Sequence, residues 1–204
     1  MLDRHIRPLI DPVLNRLGAR IAHHGISANE VTLAGLGFGL AAAVMLALGL
    51  PGGLALVPLL IGRLLDGLDG AVARASGGKS DFGGYLDLLC DFAFYGAVPL
   101  AFALREEGNA PAAAFLLAAF YVNGASFLGY AALAAKRGIE TTAQGVKSLY
   151  YSAGLLEGAE TVLFFVALCL WPEAFRPLAL GFGLLCLVTA TARALMARRV
   201  FGGA

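Results

Sequence analysis

Four aspartates are the residues best placed to do chemistry: Asp66, Asp69, Asp87 and Asp91, set beside two strongly apolar stretches of the chain. Ionised groups in membrane-like surroundings are expensive and are usually retained for a function. On a helix, positions three and four apart share a face, so Asp66 projects with Asp69 and Asp87 with Asp91. If the segment from Ala75 to Phe82 folds two helices back against each other, four oxygen donors converge on one small volume. Such a cluster cannot stay fully ionised without cations. Oxygen ligands without His or Cys favour Mg²⁺ or Mn²⁺ over zinc, and four carboxylates can hold two such ions. That pairing suits displacement at phosphorus, with one ion polarising the phosphoryl oxygens and the other settling the attacking or leaving oxygen. Gly70, Ala73 and Gly83 leave room for a ligand to approach the backbone, although small residues also serve close helix packing in membranes.

The elements that must position these residues are membrane helices. The chain is 59% hydrophobic and 14% charged, where a soluble domain would carry about a quarter charged. A spanning helix needs ~20 mostly apolar residues, and six stretches qualify: Val31 to Leu50, Gly52 to Arg74, Gly83 to Leu104, Pro111 to Ala135, Leu149 to Trp171 and Ala174 to Leu195. The expected fold is all-α, an integral membrane bundle of six transmembrane helices preceded by an N-terminal interfacial amphipathic helix. Residues 1–25 form that interfacial segment and residues 26–204 the membrane domain.

In the first segment Leu2, Ile6, Leu9, Ile10, Val13, Leu14, Leu17 and Ile21 recur at near-helical spacing among Arg4, Arg7, Arg16 and Arg20. This is the pattern of a basic helix lying in the headgroup region, broken or bent at Pro8 and Pro12; a solvated cytoplasmic tail is the plainer alternative. It lacks the continuous apolar core and cleavage site of a signal peptide. Lys and Arg collect on the cytoplasmic side of short loops. With six spans, thirteen of the fifteen fall on the side of the termini and only Arg105 and Arg176 on the other. Both termini are therefore expected in the cytoplasm, with the aspartates near the inner boundary, and the inner (plasma) membrane of a bacterium is the expected location. A net charge of +1 leaves no basic face for nucleic acid. Cys90, Cys169 and Cys186 all fall in predicted spans and read as buried free thiols. His5, His23 and His24 lie far in sequence from the aspartates and read as headgroup-facing.

The run Asp66-Gly-Leu-Asp69-Gly70-Ala-Val-Ala73-Arg74, eight residues, Gly83, three residues, Asp87, three residues, Asp91 resembles the signature of the CDP-alcohol phosphotransferase (CDP-alcohol phosphatidyltransferase) family at every fixed position and spacing. The resemblance implies a six-helix membrane enzyme that moves a substituted phosphate from a CDP-linked donor, usually CDP-diacylglycerol, to a small alcohol and releases CMP. It implies Asp66, Asp69 and Asp87 as metal ligands, Asp91 as both ligand and general base, and Gly70, Ala73, Arg74 and Gly83 as the lining of the CDP pocket. Ser27-Ala-Asn29-Glu-Val-Thr32 is similar to the family's Pro-Asn-x2-Thr element with Ser27-Ala28 where Pro is usual. Asn29 and Thr32 join the nucleotide candidates on that likeness, and a helix N-cap explains Asn29 as well. The family likeness also implies a homodimer among membrane lipids.

The acceptor side stays open. Glu157 and Glu160 share a helical face in apolar surroundings; they could read acceptor hydroxyls or an amine, or pair with Arg63, Lys147 or Arg193. Lys136, Arg137 and Lys147 would suit a phosphorylated acceptor such as glycerol 3-phosphate, and the positive-inside bias explains the same residues without a substrate. A relative using another CDP-alcohol, such as CDP-choline, with a lipid acceptor would employ the same aspartates. A divalent cation transporter accounts for carboxylates in a membrane but not for the Gly-x2-Ala-Arg element.

Overall fold

The computed structural model describes residues 3–78, 80–138 and 158–202. Its elements are α1 (Asp3–His23), α2 (Ala28–Ala47), α3 (Gly52–Ala75), α4 (Asp81–Arg105), α5 (Ala110–Lys136), α6 (Gly158–Leu170) and α7 (Phe175–Phe201). Single 3-10 turns, Glu107–Asn109 and Pro172–Ala174, lead into α5 and α7. Among the described residues no strand occurs.

Four helical stretches are long and apolar enough to cross a bilayer: Ala28–Ala47, Asp81–Arg105, Glu107–Lys136 and Pro172–Phe201. The 24 residues of α3 extend about 36 Å at the α-helical rise, enough for a hydrocarbon core, but Arg63, Asp66, Asp69 and Arg74 deprive the helix of an uninterrupted apolar run. The described part of α6 is apolar and 13 residues long. Among the described residues, four of the six expected spans meet both length and composition; residues 149–157 of the expected span from Leu149 to Trp171 lie outside the described residues.

Local sequence sets where these helices begin and turn. Ser27 caps α2 in a capping box, its hydroxyl accepting from the Glu30 amide at 3.3 Å while Glu30 Oε2 accepts the Ser27 amide at 2.7 Å; both would otherwise be orphan donors. Ser80 caps α4 by accepting the Gly83 amide at 3.0 Å. Between α3 and α4 the chain reverses through Gly77 and Gly78, at φ +103° and +137°, a backbone that side-chain-bearing residues rarely adopt.

α2 packs on α3 and α4, α5 on α7, and α3 on α6. Phe94, Phe102, Phe165 and Phe175 are fully buried at the centre, with Phe102 stacked on Phe175 at 4.3 Å between ring centroids. Leu33, Val44, Leu54, Val57, Leu100, Leu104 and Leu184 remain exposed on the outside, an apolar surface of the kind that lipid covers. Cys90, Cys169 and Cys186 are buried free thiols, as expected.

α2 approaches α3 closely through glycine: a Cβ on Gly62 would lie 2.8 Å from the Gly35 carbonyl oxygen. This contact lets the two helices approach closely there. Gly62→Val is expected to force them apart and cost about 1–3 kcal/mol, the usual range for overpacking, read as a lowered unfolding midpoint in detergent.

The first helix differs in part from the sequence expectation. It runs through Pro8 and Pro12 as one helix and is not broken there. Its apolar residues also divide. Leu14 and Ile21 pack with Ala28, Leu65 and the buried Val31, Leu68 and Val72 of α2 and α3, whereas Ile10, Val13 and Leu17 are exposed. Gly18 allows the close approach, since a Cβ there would lie 2.7 Å from Ala71 Cβ. α1 is thus seated on the bundle with one apolar stripe inward and the adjacent one outward.

Candidate active site

α3 and α4 carry the aspartates on facing sides of the Gly77-Gly78 reversal. Carboxylate oxygens of Asp66, Asp87 and Asp91 lie within 4.8 Å of one another, each residue partly buried. The three come from two helices, α3 and α4, both packed on α2 and joined by the Gly77–Gly78 turn. Hard divalent cations take carboxylate oxygens as ligands, and three such oxygens at this spacing, without a competing His or Cys, fit Mg²⁺ or Mn²⁺.

Asp69 is the most buried of the predicted ligands, 8% exposed, and stands just outside that trio. Its Oδ2 accepts a 2.6 Å hydrogen bond from the Thr32 hydroxyl, which lies one turn below the Gly35–Gly62 contact. Thr32, a nucleotide candidate by sequence, is therefore tied directly to the acidic cluster. Asn29 is brought to the same end of the site: a Cβ on Gly83 would lie 3.3 Å from Asn29 Oδ1 and 3.0 Å from Ser80 Oγ. The N-cap explanation for Asn29 is overturned, because Ser27 occupies that position. Gly83 and Asn29, 54 residues apart in number, thus form one wall. Gly70 faces Arg74, whose Nη1 would lie 3.5 Å from a Cβ at Gly70. Arg74 Nη2 donates to Asn15 Oδ1 of α1 at 2.8 Å, and Ala73 lies beside it on α3, partly buried.

The remaining candidates lie on other elements. Lys136 is exposed at the end of α5. Arg137 is engaged on the end of α7, donating to the Val200 and Phe201 carbonyls at 3.1 and 2.8 Å. Glu160 is partly buried in α6, while Glu157 and Lys147 lie outside the described residues. Of the cations considered as glutamate partners, Arg193 directs Nη1 to Asn123 and to Ser126 Oγ, the latter at 2.6 Å. Arg63 directs Nη1 to Asp91 Oδ1 at 2.9 Å and Asp66 Oδ1 at 3.5 Å.

That last contact is the feature of the site that sequence reasoning missed. One signal was present: Arg63 stands three residues before Asp66, on the same helical face. The other was not, since Asp91 arrives from α4.

Fold and site together define a bundle of apolar, membrane-spanning-length helices built around a carboxylate centre. The chain belongs to the CDP-alcohol phosphatidyltransferase family, whose model matches residues 26–196. It is 47% identical over 194 residues to the inner membrane protein YnjF of Escherichia coli K12, covering 95% of this chain and 93% of that one. Over 86 residues it is 42% identical to the archaetidylinositol phosphate synthase of Pyrococcus horikoshii, covering 42% of this chain and 45% of that one. Among solved structures, the Mycobacterium tuberculosis phosphatidylinositol phosphate synthase PgsA1 with CDP-DAG bound shares the fold at TM-score 0.72 and 19% identity, over 92% of this chain and 94% of that one. The same synthase in complex with manganese and citrate matches at TM-score 0.71 and 20% identity, over 89% and 87%. Family membership makes the protein an enzyme, and the cation-transporter reading is not favoured.

Proposed function

We propose that this transferase moves a phosphatidyl group from CDP-diacylglycerol to a small alcohol and releases CMP, in phospholipid synthesis. The observation that carries the reading is the meeting of Asp66, Asp87 and Asp91 within 4.8 Å, beside Thr32–Asp69 and the Asn29–Gly83 wall. A related fold solved with CDP-DAG in one case and manganese in another supports it.

In this mechanism Asp66, Asp69, Asp87 and Asp91 would hold two divalent ions, Mg²⁺ or Mn²⁺. Held there, such ions would supply the positive charge that neutralises the donor pyrophosphate and makes its phosphorus electrophilic. Asn29, Thr32, Gly70, Ala73, Arg74 and Gly83 bind the nucleotide, the small residues letting it approach the backbone. Asp91 accepts the proton of the acceptor hydroxyl, whose oxygen forms the new P–O bond in line as the P–O bond to CMP breaks. Arg63 holds the Asp91 carboxylate in place. The exposed apolar surface keeps the donor's acyl chains in lipid.

The rest of the proposed organisation follows from the chain. All six stretches span, residues 1–25 lie in the interface with Ile10, Val13 and Leu17 toward lipid, residues 26–204 form the transferase domain, and both termini are cytoplasmic. The protein acts as a homodimer in the inner membrane of a bacterium. Glu160, with Glu157, Lys136, Arg137 and Lys147, supplies the acceptor side.

The test is a transfer assay with purified protein, CDP-diacylglycerol, Mn²⁺ and a panel of phosphorylated and unphosphorylated polyols, with the lipid product identified by mass. A new phospholipid with one acceptor is the expected result; no lipid product with any alcohol would defeat the reading. Glu160→Gln is expected to raise the acceptor KM with donor KM and folded yield unchanged, since a lost ground-state contact appears in that parameter. An equal shift in both substrates would return Glu160 to a structural role.

A further inference from the structure

We propose that Arg63 is a resident counter-cation of the aspartate cluster, which orients the Asp91 carboxylate and lowers the affinity of the cluster for divalent ions. The inference rests on the metal-dependent reading above and concerns a residue outside the family signature.

The contacts of Arg63 are specific. Its Nη1 lies 2.9 Å from Asp91 Oδ1 and 3.5 Å from Asp66 Oδ1, joining the two helices that bear the cluster. The side chain is only 9% exposed, and its Nε is buried with no hydrogen-bond partner among the described residues. A buried guanidinium that leaves a donor unused is costly unless carboxylates compensate it, and here the hydrogen bond to Asp91 and the ion pair with Asp66 do so.

The other face of the guanidinium is fixed by packing. Its Cζ lies 4.2 Å from the centroid of the Phe94 ring, close enough for a cation–π contact. Phe94 is fully buried in the core, and a Cβ on Gly39 would lie 2.6 Å from its ring. Gly39 thus makes room for the ring, the ring carries the guanidinium, and the guanidinium holds Asp91. A planar, always-charged group suits this stacked position, where a lysine ammonium would not.

Two consequences follow. A fixed positive charge on Asp91 Oδ1 competes with any divalent ion that uses that oxygen, in surroundings where charges interact strongly. The same contact restricts the orientation of the carboxylate that accepts the acceptor's proton. Arg63 is a positioning residue that trades metal affinity for alignment of the base.

The experiment is a calorimetric titration of the full-length protein in detergent with Mn²⁺ at pH 8, comparing wild type, Arg63→Met and Arg63→Lys, followed by turnover at saturating Mn²⁺. Arg63→Met is expected to bind Mn²⁺ at least ~10-fold more tightly, since one competing charge is gone, and to turn over roughly 10-fold more slowly from lost alignment of Asp91. Arg63→Lys should fall between the two in affinity. Unchanged or weaker Mn²⁺ binding by Arg63→Met overturns the role. Should that variant fail to fold, Phe94→Leu keeps the charge but removes its platform, and must shift Mn²⁺ affinity in the same direction; no shift overturns the proposal. A wild type that takes up no Mn²⁺ overturns instead the metal-dependent reading on which it rests.

Discussion

Asp91→Asn is expected to lower turnover by at least ~10²-fold, the usual loss on removing a general base, while CDP-lipid binding survives. The substitution keeps the size of the side chain and one oxygen that can still accept from Arg63, so the helix pairing that brings Asp91 to Asp66 is preserved. What disappears is the charge and the proton-accepting site. Steady-state CMP release, set beside equilibrium binding of CDP-diacylglycerol, measures the two effects separately. If CMP release persists and only cation flux into liposomes changes, Asp91 is not the base and the transporter reading returns.

Removal of divalent ions is expected to have an effect as large. Chelation should abolish CMP release, and Mg²⁺ or Mn²⁺ should restore it, whereas zinc, which prefers nitrogen and sulfur, should serve poorly at an all-carboxylate centre. The geometry supports this because carboxylate oxygens of Asp66, Asp87 and Asp91 converge within 4.8 Å, the oxygen donors a hard divalent ion takes. Atomic emission of the chelated protein checks that the ions have left. Full activity after their removal would dismiss metal-assisted transfer.

Much of this arrangement was legible because composition and helical spacing act locally. The expected helix from Gly52 to Arg74 corresponds to α3 (Gly52–Ala75), and that from Pro111 to Ala135 to α5 (Ala110–Lys136). The first span was placed too late: α2 starts at Ala28 instead of Val31, because the Ser27–Glu30 capping box starts the helix before its apolar run begins. The last was ended too early, since α7 continues to Phe201; its final carbonyls are held by Arg137, the C-cap of α5, a contact between distant residues. The pairing of Asp66 with Asp69 and of Asp87 with Asp91 could be read from spacing, and a glycine-bearing reversal between α3 and α4 was anticipated.

Long-range partners could not be read in the same way. Thr32 meets Asp69 because Gly35 and Gly62 let α2 and α3 approach closely. Asn29 reaches Gly83 only because α4 packs on α2, and Asn15 reaches Arg74 only because Gly18 seats α1 on Ala71. Each is a tertiary contact with no periodic trace in the chain. Arg63 is the sharpest case: its sequence neighbour Asp66 hinted at an ion pair, but its shorter contact is to Asp91, 28 residues away.

The most direct test of phosphatidyl transfer is a double-label experiment with CDP-diacylglycerol carrying one isotope in the cytidine and another in the glycerol backbone. With Mn²⁺ and the preferred alcohol, the account predicts that one labelled CMP appears for each new phospholipid, and that the glycerol label passes wholly into that lipid. Intact donor, labelled phosphatidic acid in place of the new phospholipid, or a new lipid without the glycerol label would contradict it.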